Sequence, residues 1–127
     1  MARQFTVRLK NEPGALARLA ATLGEHGIDI RTVAGGAAGS NGFAVLSTNN
    51  DAAATEVLRK ARYNFVEGEV LHVGLEDKPG ALAQLTGRLA EAGVNITGLT
   101  LLGRHQGKAE LGITVDDPDL ARKILSK

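Results

Sequence analysis

The sequence predicts an α+β protein made of two tandem copies of one strand-helix-strand-strand-helix unit, and three observations predict it. The chain matches itself with a shift of 66: residues 5–35 against 71–101 share 12 identities in 31 positions, more than chance places in one register. Each copy opens on a stretch with the period of a half-buried strand. In each, Pro-Gly and a leucine pattern of helical spacing come next.

The elements follow in order. Phe5, Val7 and Leu9 alternate with Thr6, Arg8 and Lys10, as Leu71, Val73 and Leu75 do with His72, Gly74 and Glu76, which gives each first strand one apolar face. Pro13 and Pro79 stand in the first turn of a helix, where a missing N–H is harmless. Leu16, Leu19, Ala20 and Leu23 then fall at i, i+3, i+4, i+7, matched by Leu82, Leu85, Thr86 and Leu89, the stripe of an amphipathic helix. Gly27 and Gly93 stop the helices. Residues 28–33 and 43–48 read as a hairpin around a loose, mobile loop GGAAGSNG, and 94–102 with 109–115 repeat it around the tighter GRHQG.

With one residue dropped in that loop, Gly42 matches Gly107, Ala44 matches Ala109 and Asp51 matches Asp116. Asp51 and Asp117 read as caps of the second helices. Phe65 and Val66 supply a closing strand in the first copy, and Gly68 marks the join. Each unit is thus a ferredoxin-like βαββαβ arrangement, with modules over 1–68 and 69–127. The second lacks its last strand, because the counterparts of Phe65 and Val66 would fall past residue 127. In strand order 4-1-3-2 that loss leaves residues 70–75 unpaired along one side. A bare edge invites pairing, so it is expected to be covered by residues 64–67 of the same chain or by a second chain in a homodimer.

Composition excludes several functions. Fifteen Lys+Arg against fourteen Asp+Glu give a net charge of +1, so no basic excess serves nucleic acid or an anionic membrane, and 3% aromatics offer no base-stacking platform. The absence of cysteine removes disulfides and thiolate chemistry. MARQFTVRLK alternates polar and apolar residues, and no stretch reaches membrane-spanning length, which makes the expected location cytoplasmic. His26, His72 and His105 lack metal-ligand spacing, and Ser40, Ser47 and Ser126 lack a nucleophile context. Gly35, Gly36, Gly39 and Gly42 lie between two strands rather than between strand and helix, so they do not form a phosphate cradle. No catalytic residue, metal or cofactor is expected, and the protein reads as a non-enzyme.

Chemistry concentrates at Asn11-Glu12-Pro13-Gly14 and Asp77-Lys78-Pro79-Gly80, each between a first strand and its helix. Glycine there leaves the N–H groups of Gly14 and Ala15, and of Gly80 and Ala81, facing outward with the positive helix end behind them, suited to a carboxylate. Asp29 and Asn95 enter the second strands. On this reading they lie beside the helix start and take a ligand's ammonium or carboxylate, so that together the groups suit a zwitterion.

At these residues the sequence resembles the ACT domain family, whose pattern is an acidic or amide residue, any residue, Pro-Gly, a leucine-rich helix, then Gly-(Val/Ile)-(Asn/Asp)-Ile. Residues 11–30 and 77–96 both match. The layout is similar to stand-alone tandem ACT proteins. The resemblance implies a non-catalytic regulatory sensor of amino-acid metabolism. Its free amino-acid ligand would be gripped near Gly14 and Gly80, and by Asn11, Asp29, Asp77 and Asn95, at an interface between modules. It also implies association through sheets and a partner enzyme of amino-acid biosynthesis. Asp29 stands where the family favours Asn, which makes module two the more conventional site. The start of the chain also resembles the acetolactate synthase small regulatory subunit, an alternative that the second PGALA copy at 79–83 weighs against.

Overall fold

The computed structural model describes residues 2–126, which form two compact units, one from Ala2 to Glu67 and one beginning at Gly68. The outermost residues of the expected ranges, 1 and 127, lie outside the described residues. In the first unit the order is β1 (Arg3–Lys10), α1 (Ala15–Glu25), β2 (Ile30–Ala38), β3 (Asn41–Thr48), α2 (Asp51–Lys60) and the closing strand β4 (Phe65–Glu69). The second runs β5 (Leu71–Glu76), α3 (Ala81–Glu91), β6 (Ile96–His105), β7 (Lys108–Val115) and α4 (Pro118–Leu125). The first sheet is ordered β2-β3-β1-β4 and the second β5-β7-β6, so both are ferredoxin-like, the second without a fourth strand among the described residues.

Alternation sets the sheet faces. Phe5 and Val7 are fully buried and lie opposite Leu46 and Ala44 of β3, because directly paired residues point to the same side. Leu19 and Leu23 of α1 and Ala54, Val57 and Leu58 of α2 close over this face. In the second unit Leu71 and Ile113 pair across the ladder, under Leu85 and Leu89. Gly27 (φ 72°) and Gly93 (φ 81°) end α1 and α3, with the N–H of Ile28 on Leu23 O (3.0 Å) and of Val94 on Leu89 O (2.9 Å). That bond pattern ends a helix with a left-handed residue, which glycine adopts without steric cost.

Several sequence expectations are corrected. Pro13 and Pro79 precede the helices instead of occupying their first turns, since Gly14 and Gly80 are the N-caps. Helix α1 therefore buries Ala15, Leu19 and Leu23, at spacing four, and leaves Leu16 and Ala20 exposed. The glycine run is no loose loop. It forms the far half of β2, paired as Gly35↔Ala44, Gly36↔Phe43, Ala37↔Gly42 and Ala38↔Asn41, with only Gly39 and Ser40 turning. Ladder bonds to β3 use backbone alone, so poor strand propensity does not prevent pairing. Both hairpins turn through two residues, the second at Gln106 and Gly107.

The repeat offset after the hairpin is also corrected. Leu9 pairs with Gly42 and Leu75 with Ala109, so the second hairpin gains a residue and the offset becomes 67. The register shift in β6 between Leu101 and Gly103 accommodates it. In this register Asn50 matches Asp117, and these two side chains cap α2 and α4, accepting the N–H of Ala53 and of Leu120 (both 3.1 Å). Asp51 is not the cap; its Oδ2 accepts the N–H of Arg3 (3.3 Å). Residues 65–67 lie in β4 beside β1, where Asn64 O accepts the N–H of Arg8 (2.8 Å), so they are strand partners in the first sheet instead of the second.

Candidate functional site

Chain direction decides which candidate residues meet. Strand β1 delivers Asn11 to the turn of the β2-β3 hairpin, where its N–H donates to Ser40 O (3.2 Å) and its Nδ2 to Gly39 O (2.9 Å). Gly14 follows with φ 87° and is the N-cap of α1, with no side chain capping the first turn. Asn11, Gly14 and Ala15 therefore stand together. The N–H of Ala15 is not open as the sequence suggests, because it turns back to Glu12 O (3.3 Å), as that of Ala81 does to Lys78 O (3.3 Å).

Asp29 does not join this group. Helix α1 carries the chain back along the sheet, and Asp29 arrives at the other end, its N–H on Asn49 Oδ1 (2.9 Å) and its carbonyl accepting the N–H of Asn49 (3.1 Å). The nine residues of β2 separate it from the hairpin turn, about 30 Å at 3.3 Å per residue. Its carboxylate faces Arg31 (3.6 Å) on the exposed surface. Asn95 repeats this placement with Asp116, its N–H on Asp116 Oδ1 (2.9 Å) and its carbonyl accepting the N–H of Asp116 (3.0 Å). The sequence reading placed the entry to the second strand beside the helix start, whereas an antiparallel helix brings it beside the helix end.

In the second unit Asp77, Gly80 and Ala81 occupy the equivalent turn, but Asp77 is engaged. Its carboxylate pairs with Arg104 Nε (3.2 Å), and its N–H donates to Gly107 O (2.8 Å). Beside it, Lys78 Nζ sits 2.9 Å from Glu76. The hydrogen bond and charge of Lys78, with Lys108 further off, hold the Glu76 carboxyl below the ordinary carboxylate range. This depressed value favours the fold above the ordinary carboxylate pKa, and the contribution fades as pH falls through it.

The first turn borders a cavity of about 370 Å³ within the first unit. It is lined by Leu9, Gly42 and Ala44 of adjacent strands, Gly35, Ala37 and Val33 of β2, Phe43 of β3, and Ala15 and Leu16 of α1, with Lys10, Asn11 and Glu12 as its polar residues. That size falls at the lower end of small-molecule clefts, roughly 300 to 1,000 Å³. Arg18 was not singled out from the sequence. Its Nη1 would lie 3.2 Å from a Cβ on Gly14, and its Nη2 pairs with Glu12 (3.2 Å), placing an exposed cation at the helix start. Spacing gave one signal for Arg18, four residues after Gly14. A concavity of about 420 Å³ beside Ala81 in the second unit is lined instead by charged Glu76, Lys78, Arg88 and Lys108 together with Leu85 and Leu125. Among the described residues no helix is long and apolar enough to cross a membrane.

Comparison with known proteins agrees on one architecture. The family model described as ACT domain matches residues 3–63 and again 70–127. A protein of Bacteroides thetaiotaomicron of known structure superposes with a TM-score of 0.70 at 21% identity, covering 98% of this chain and 86% of that one. The regulatory subunit of aspartate kinase from Thermus flavus gives 0.68 at 18% identity, covering 98% and 88%. Its counterpart from Thermus thermophilus, in a ligand-free form, gives 0.63 at 18%, covering 98% and 89%. No curated protein sequence matches.

Proposed function

The chain belongs to the ACT domain family, and on that premise we propose that it is a non-catalytic regulatory protein that binds a free amino acid in its first module and signals to an enzyme of amino-acid metabolism. The observation that carries this reading is the cavity at the Asn11-Glu12-Pro13-Gly14 turn, with both signs of charge beside it. The uncapped helix start and Arg18 suit a carboxylate. Glu12 and Asn11 Oδ1 suit an ammonium group. Asp77, Gly80 and Ala81 form the corresponding turn of the second module, while Asp29 and Asn95 would contribute only if a second chain presented them to such a turn. The aspartate kinase regulatory subunits that share this fold are the kind of protein the reading expects. A cytoplasmic location follows from that role.

The test is thermal unfolding against the twenty amino acids one at a time. A ligand at 100 times its dissociation constant adds about 2.7 kcal/mol of stability, so at least one amino acid is expected to raise the melting temperature clearly. Flat curves across the panel would instead leave a pure interaction module.

We also propose a homodimer. Strand β5 pairs with β7 on one side and has no strand on the other among the described residues, and an edge of this kind is usually covered. Light scattering is expected to report a dimer in which the amides of Leu71–Glu76 exchange slowly. A monomer at high concentration with fast exchange along β5 would overturn this.

A further inference from the structure

The two modules are copies of one unit, so each shows what the other has done with the same space. In the first, Gly35 pairs with Ala44, and Ala37 with Gly42, which Leu9 flanks in the ladder on its other side, and all of these line one cavity with Leu16. In the corrected register the Gly35–Ala44 rung corresponds to Leu101–Leu111 of the second module. Two leucines therefore stand where the first module has a glycine and an alanine. Leu111 is buried there, whereas Leu101 on the outer strand is 44% exposed, so the second module fills the inner part of this space and shields its rim only partly. Such a change of side-chain volume is what opens or fills a cavity in a packed interior.

We propose that the ligand of the first module is an amino acid with an aliphatic side chain of about leucine's size, which fills the place of the second module's Leu101–Leu111 rung while its charged head stays at the Asn11-Glu12 turn. This deepens the amino-acid-binding reading and rests on it. Away from Lys10, Asn11 and Glu12 the lining is apolar, small residues of β2 and β3 with Leu9, Leu16, Val33 and Phe43, so a ligand hydroxyl, amide or charge would find no side-chain partner there. Leu16 is 55% exposed, an apolar surface that such a side chain would cover. Gly35 and Gly42 bring the backbone close. A Cβ on Gly35 would lie 3.0 Å from Phe43 O, and one on Gly42 would lie 3.3 Å from Leu9 O, so the floor of the cavity is set by strand contact.

Isothermal calorimetry on the full chain tests this with leucine, isoleucine and valine against serine, aspartate and lysine. The aliphatic set is expected to bind at least tenfold more tightly. Ala37→Leu, at an exposed strand position, is expected to weaken leucine binding at least tenfold with unchanged far-UV circular dichroism. Ala44→Leu, which copies Leu111, should do the same where it folds. Tightest binding of a polar amino acid, or unchanged leucine affinity in Ala37→Leu, would overturn the proposal while leaving amino-acid binding intact. If 3-methylbutyrate binds in a way that Ala37→Leu abolishes while no amino acid binds, the cavity's aliphatic chemistry stands and the amino-acid reading fails. No binding by any of these probes overturns both.

Discussion

Phe5→Ala is expected to destabilise the first module by about 3–5 kcal/mol, the range for emptying a buried aromatic site. Phe5 is fully buried, and its ring meets that of Phe65 at a centroid distance of 6.1 Å and 53° between planes. That tilted geometry suits the ring quadrupoles. The substitution removes the contact that joins central strand β1 to closing strand β4, along with the packing against the helices. Urea denaturation followed by circular dichroism would register it as a lower midpoint. Val66→Ala, one position along β4 at 55% exposure, should stay within about 0.5 kcal/mol. Equal effects for the two variants would mean that β4 is not held through its inward face.

Gly14→Val is expected to weaken amino-acid binding more than tenfold, while Gly80→Val leaves it nearly unchanged. Both glycines hold a left-handed conformation at a helix N-cap, φ 87° and 88°. There an L-residue costs roughly 1–2 kcal/mol, and a β-branched one more. The two variants should therefore lose similar stability. They differ in what the new side chain meets: at Gly14 a Cβ lies 3.2 Å from Arg18 Nη1, whereas at Gly80 nothing lies within 4 Å. Displacing Arg18 and crowding the turn beside the cavity affects only the first module. Calorimetry on both variants decides it, and the reverse order would place the ligand in module two.

Much of the fold could be read from local chemistry. Alternation along 5–10 and 71–76 and the glycines at 27 and 93 act within a few residues of themselves, so one strand or one turn suffices to interpret them. The errors arose where partners far along the chain decide. Gly35 and Gly36 have weak strand propensity, yet β3 pairs with them. Asp51 has the right chemistry for a cap, but Asn50 holds the extended conformation that a cap needs, and Arg3 engages the aspartate. Asn11, Gly14 and Ala15 can be grouped from the sequence because a turn joins them directly. Asp29 was misplaced because its position depends on the direction of an intervening helix. The cavity is not legible in the sequence because its lining comes from β1, α1, β2 and β3 together, and the contrast of Ala44 with Leu111 emerges only in the correct register.

On the proposed reading, the unequal rungs of the two sheets also predict a stoichiometry. If the proposed ligand takes in the first copy the place that Leu101 and Leu111 hold in the second, a chain built from a duplication is expected to offer one binding event rather than two. A single chain would then have no second such site among the described residues with which to cooperate, and its titration curve is expected to be hyperbolic. A sigmoidal response would have to arise between chains, as a coupling free energy of assembly, and its steepness would count the chains that change together.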